Sequence, residues 1–163
     1  MVTNNDRWCL RALSIAPTCR CRPVSAGRLA VVAADRLVQS DEGGWRFALV
    51  EPELTFIRVD HQARLQFGPR EVVIETPFEL VKEGVSYELD PGDRAHLGPL
   101  LAVYPDSLVD MRADKDRCLR LTFTSGARIS VPPDPHYEAW SIVGPGNTLI
   151  VCTPGDTDLA IWA

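Results

Sequence analysis

From Trp45 onward the chain is written in short runs of alternating apolar and polar residues, each closed by turn chemistry. Leu119, Leu121 and Phe123 alternate cleanly with Arg120, Thr122 and Thr124. Only a strand turns every second side chain to the same face, so this run has one face on a core and one on water. Leu54-Thr-Phe56-Ile-Arg58-Val59, Arg64-Leu65-Gln-Phe67 and Glu71-Val72-Val-Ile74 repeat the theme, parted by Asp60-His61 and Gly68-Pro69. Turn residues between β-rich runs predict a meander of strands.

Further strands are expected at Val85 to Leu89, Ser107 to Arg112, Arg128 to Val131, Ala139 to Val143, Leu149 to Cys152 and Leu159 to Trp162. One helix is expected near residues 91–104. Asp90-Pro91-Gly92-Asp93 supplies a cap and a first-position proline, Leu97, Leu100, Leu101 and Tyr104 follow at helical spacing, and Pro99 should kink it. The predicted class is mainly β (α+β), with antiparallel sheets of about ten short strands. The halves also echo each other: Asp60, Leu65-Gln-Phe67, Gly68, Ile74 and Pro77-Phe78-Glu79 find counterparts in Asp116, Leu121-Thr-Phe123, Gly126, Ile129 and Pro135-His136-Tyr137-Glu138. Such echoes arise either from an internal duplication or from two similar hairpins.

The first forty residues read differently. Arg, Ala, Ser, Pro and Cys dominate there, and apolar residues keep no period of 2 or 3.6. Residues 1–44 are therefore expected to be a poorly ordered or weakly structured extension, read as an Arg-rich targeting segment or as upstream sequence from a start codon placed too early in preference to an ordered arm, with a short helix around Leu29 to Val38 still open, and residues 45–163 a single domain. At 163 residues the chain has the length of one domain with its own core. No stretch approaches the roughly 20 apolar residues of a membrane span, and no secretory signal opens the chain. Five cysteines, an odd number at irregular spacing, suit reduced thiols better than a disulfide framework. Together these predict a cytoplasmic protein without cofactor or metal, and they leave its oligomeric state open.

Charge is divided unevenly. Residues 1–40 hold six arginines against two aspartates, whereas the remainder holds 11 basic and 20 acidic residues. An acidic domain repels phosphate backbones, so nucleic acid is not the expected ligand, and a basic protein partner is.

The densest cluster of reactive side chains is Pro132-Pro133-Asp134-Pro135-His136-Tyr137-Glu138-Ala139-Trp140. Prolines stiffen the backbone that presents Asp134, His136, Tyr137, Glu138 and Trp140, the five candidate binding residues. The favoured reading makes Trp140 and Tyr137 core anchors, with Asp134 closing a turn and Glu138 paired to an arginine, and a strand from Glu138 to Val143 that buries Trp140 while the prolines hold His136 in an exposed connection. Asp134, His136 and Glu138 alternate as metal ligands on a strand would, yet no third or fourth ligand at matching spacing is found elsewhere. No catalytic residue is assigned: a nucleophile elbow is absent, Gly144-Pro145-Gly146 and Pro154-Gly155-Asp156 are hairpin turns rather than phosphate loops, and Cys19-Arg20-Cys21 lacks zinc-ribbon spacing. The alternative to a binding protein is a small enzyme or ligand-binding domain with a pocket around His136 and Glu138.

Val131 to Trp140, followed by Val151-Cys152-Thr153-Pro154-Gly155 and Leu159-Ala160-Ile161-Trp162, resembles a family of uncharacterised small bacterial β-rich proteins. Ile74-Glu75-Thr76-Pro77-Phe78 is similar to that family's pattern as well, whereas Asp156-Thr157-Asp158 departs from its shorter, glycine-richer turn. The resemblance brings no catalytic residues. It implies a setting, since compact acidic β-rich proteins of this kind look like immunity proteins that neutralise a cognate toxin.

Overall fold

The computed structural model describes residues 37–39, 44–155 and 158–162. Its strands are β1 (Leu37–Gln39), β2 (Trp45–Phe47), β3 (Leu54–Val59), β4 (Ala63–Phe67), β5 (Arg70–Ile74), β6 (Phe78–Lys82), β7 (Val85–Leu89), β8 (Leu108–Ala113), β9 (Leu119–Phe123), β10 (Arg128–Val131), β11 (Trp140–Val143), β12 (Leu149–Val151) and β13 (Ala160–Trp162). They form two antiparallel sheets, ordered β1-β2-β8-β9-β10-β6-β7 and β13-β12-β11-β5-β4-β3. The mainly β class is as expected. The extension expected over residues 1–44 falls largely outside the described residues. So does the Leu29 to Val38 helix, apart from Leu37 and Val38, which lie in β1 and pair with β2.

The core lies where inward side chains of the two sheets meet. Leu65, Phe67, Val72, Ile74, Trp140, Ile142 and Ile150 come from one sheet, and Phe78, Leu80, Leu119, Leu121, Phe123, Ile129 and Val131 from the other. Every second residue of β4 and of β9 is buried, which is the alternation their sequences carry.

The long helix does not form. Asp90 Oδ1 accepts the Gly92 N–H at 2.8 Å, and the Asp93 N–H bonds back to the Asp90 carbonyl, so Pro91 to Asp93 are a turn. A 3-10 turn at Arg94–His96 and one α turn, α1 (Gly98–Leu101), follow. An aspartate that bonds its own loop competes with the helical cap, and Gly92 and Gly98 weaken what propensity remains. The helical spacing nonetheless did its work, since Leu97 and Leu100 are buried.

The echo between halves is a structural repeat. β3-β4-β5 continues in its sheet with β11-β12, and β8-β9-β10 continues in the other with β6-β7, so each half lends its last two strands to its twin. The register shifts after Leu54 in β3 and after Leu108 in β8, at matching places. The twins meet where the Leu54 N–H donates to the Asp106 carbonyl and the Leu108 N–H to the Pro52 carbonyl, both at 2.8 Å, flanking the Glu53–Ser107 bridge. Phe67 and Phe123 face each other across the core with ring centroids 6.3 Å apart. The partner of Asp60 is Asp114 rather than Asp116: Asp60 pairs with Arg58 and Arg64, and Asp114 with Arg112 and Arg120.

Candidate binding site

The repeat shows what the fold does not require. β5 reaches β6 through the three residues 75–77, whereas β10 reaches β11 through the eight residues 132–139. Carrying the two registers forward, Trp140 opposite Ile74 holds the place that Phe78 holds opposite Val131. The extra residues of the second connection are thus the segment with Asp134, His136, Tyr137 and Glu138.

That segment is pinned. Asp134 Oδ1 accepts the backbone N–H groups of His136 and Tyr137 at 2.7 and 2.9 Å, an Asx turn, and its carbonyl accepts the Gly155 N–H. Trp140 is fully buried, and its indole Nε1 donates to the Arg117 carbonyl at 3.0 Å. Arg117 has φ +67, a conformation an arginine adopts at a cost. Its guanidinium donates to the Thr153 carbonyl at 3.0 Å and to the Gly155 carbonyl. One residue of the β8–β9 sheet therefore fastens both the indole and the chain after β12.

On this base His136, Tyr137 and Glu138 all face solvent, Tyr137 with 70% of its surface exposed. Of the five residues singled out from sequence, three form an exposed array, Asp134 shapes the turn beneath them and Trp140 is a core anchor. Glu75, whose N–H bonds to the Ala139 carbonyl, lies beside the loop. Among the described residues Glu75, Glu138, Asp116 and Asp158 pair with no cation, whereas Asp60, Glu71, Asp110 and Asp114 all do. Unpaired carboxylates are not confined to the loop, since among the described residues Glu79 and Glu88 stand opposite each other on β6 and β7 without a cation.

No group of three or more metal-ligating side chains occurs among the described residues. Cys118 and Cys152 are buried and free, and burial pushes both thiols up, outweighing Arg120 and Arg117 respectively. No described helix is long and apolar enough to cross a membrane.

Sequence reasoning missed a second feature, a groove of about 290 Å³ between β3 and α1, lined by Thr55, Phe56, Ile57, Leu101 and Tyr104. Phe56, Leu101 and Tyr104 are each about half exposed there. Their spacing gave no warning, because Leu101 and Tyr104 fit a buried helix face that never forms.

A family model described as a family of unknown function matches residues 45–163. No curated protein and no solved structure matches the chain.

Proposed function

The chain belongs to that family, DUF6188, and from this starting point we propose that it is a non-catalytic cytoplasmic binding protein, an immunity protein of a bacterium, that captures a basic toxin through the 132–138 loop. The observation that carries the reading is the loop itself: longer than its structural twin, fixed at both ends, and offering Tyr137 almost free of the protein. A rigid loop loses little conformational entropy on binding, and a protruding tyrosine brings large contact area with few rotatable bonds.

Charge supports the basic partner. Glu138 in the loop and Glu75 beside it would raise the rate of encounter with a cationic surface and meet its lysines or arginines on contact. His136 adds a hydrogen-bonding ring beside them.

The test is affinity capture from the native host with the wild type and with Tyr137→Ala/Glu138→Ala as baits. The reading expects a basic protein retained by the wild type and lost with the double variant. Capture that survives the double variant, or a captured protein that is acidic, rejects it.

A further inference from the structure

The repeat departs from symmetry a second time, and the two departures touch. β3 reaches β4 through the three residues 60–62, whereas β8 reaches β9 through the five residues 114–118. The longer hairpin is a β-turn closed by the Arg117 N–H on the Asp114 carbonyl at 2.8 Å, with the Asp114 N–H on the Cys118 carbonyl beneath it. Arg117 takes the left-handed position that ends such a loop, at φ +67. Glycine fills that position without steric cost, and arginine does not. What arginine brings is the fork of its guanidinium, which donates to the Thr153 and Gly155 carbonyls. Gly155 in turn donates its N–H to the Asp134 carbonyl at 3.2 Å, and Asp134 Oδ1 holds the N–H groups of His136 and Tyr137. A chain of hydrogen bonds thus runs from the longer hairpin, through the 153–155 turn, to the longer loop.

We propose that Arg117 is the positioning residue of the binding loop: its side chain holds the 132–138 loop in the conformation that meets the partner, and the costly backbone at 117 is kept for the sake of that side chain. The proposal rests on the reading of the loop as the binding site. Arg117 acts through the 153–155 turn rather than through contact with the partner. Backbone fixed before encounter need not be ordered at encounter, so loosening the turn lowers affinity, chiefly by faster dissociation. Charge alone predicts the reverse. Arg117 is a cation tied to an acidic loop, so removing it strengthens the attraction for a basic partner, and the two effects differ in sign.

The experiment compares the full chain with Arg117→Gly and Arg117→Lys. Glycine relieves the backbone, keeps the carbonyl that accepts the Trp140 indole N–H, and removes only the fork. In this variant the His136 and Tyr137 N–H groups should exchange with solvent about tenfold faster by NMR, while those of β9 keep their rates. The basic protein retained by the wild-type bait should leave the variant about tenfold faster. Arg117→Lys keeps the charge without the planar fork and should fall between the two in both readouts, which carries the test if the glycine variant fails to fold. Exchange is read without any partner, so it decides the positioning claim by itself: unchanged rates at His136 and Tyr137 overturn the proposal whatever the loop binds. Faster exchange throughout β9 marks a merely structural role and overturns it as well. So does faster exchange in the loop with binding unchanged or tighter, and Tyr137→Ala then separates the causes. A partner lost with Tyr137→Ala but kept by Arg117→Gly leaves the loop as the site without Arg117, whereas one kept by both variants removes the loop reading too.

Discussion

Trp140 donates its indole N–H to the carbonyl of Arg117 at 3.0 Å, and so joins the first strand after the long loop to a hairpin of the opposite sheet. The contact explains why one aromatic of the segment is buried while its neighbour three residues earlier is not. Trp140→Ala should cost about 3–5 kcal/mol, the range for removing a large buried aromatic. Trp140→Phe should cost less but still leave the Arg117 carbonyl short of a partner, about 1–3 kcal/mol. His136→Ala should leave the denaturation midpoint unchanged, since the side chain is exposed. Urea melts of the three variants check this.

Asp106 sits where the two halves meet. Burial pushes its carboxyl up, but hydrogen bonds from Ser125, Thr124 and the Ser107 N–H outweigh that and hold it below the ordinary value of 3.8. A depressed carboxylate adds stability that is fully present above the unfolded value and is lost as pH falls through the folded one. Asp106→Asn should therefore cost about 1 kcal/mol near neutrality, the modest figure reflecting solvent screening. The gap between variant and wild type should close as the pH drops below 3.8, which thermal melts along a pH series would display.

Cys118 and Cys152 should resist alkylation in the native protein, because burial both hides the thiols and disfavours the thiolate. Peptide mapping after brief iodoacetamide treatment should find them unlabelled without denaturant and labelled in its presence.

Much of the fold was legible because period-two alternation survives in single strands: β3, β4, β9 and β10 lie within a residue of where the pattern puts them. β2 and β6 were not read. Trp45–Phe47 is too short to establish a period, and Phe78–Lys82 follows Pro77 and reads as part of a turn. The helix was overread because Leu97, Leu100, Leu101 and Tyr104 have the spacing of a buried face, while the backbone bonds of Asp90 decide the local conformation. Sequence put Trp140 in the core and His136 in an exposed connection, as the structure has them, but grouped Tyr137 with Trp140 as an anchor, whereas it is exposed. Which aromatic enters the core depends on where β11 starts, and that is set by its pairing with Ile74, 66 residues earlier. The duplication was visible as an echo, yet its true alignment, Asp60 with Asp114 and Phe78 with Trp140, required the register of both sheets.

The central claim is that the loop binds a basic partner through its carboxylates and Tyr137. Its most direct test, once the partner is captured, is the association rate measured from low to high salt for the wild type, Asp134→Asn, Glu138→Gln and Tyr137→Ala. The wild-type rate should fall steeply as salt rises, because opposite charges steer the encounter and mobile ions screen them. Glu138→Gln should associate more slowly at low salt and converge with the wild type at high salt. Tyr137→Ala should dissociate faster at every salt concentration. Asp134→Asn keeps an oxygen to accept the His136 and Tyr137 N–H groups, so it should hold the loop and change the rate only through lost charge. A wild-type rate that is flat across salt, with affinity unchanged in Glu138→Gln and Tyr137→Ala, would contradict the account.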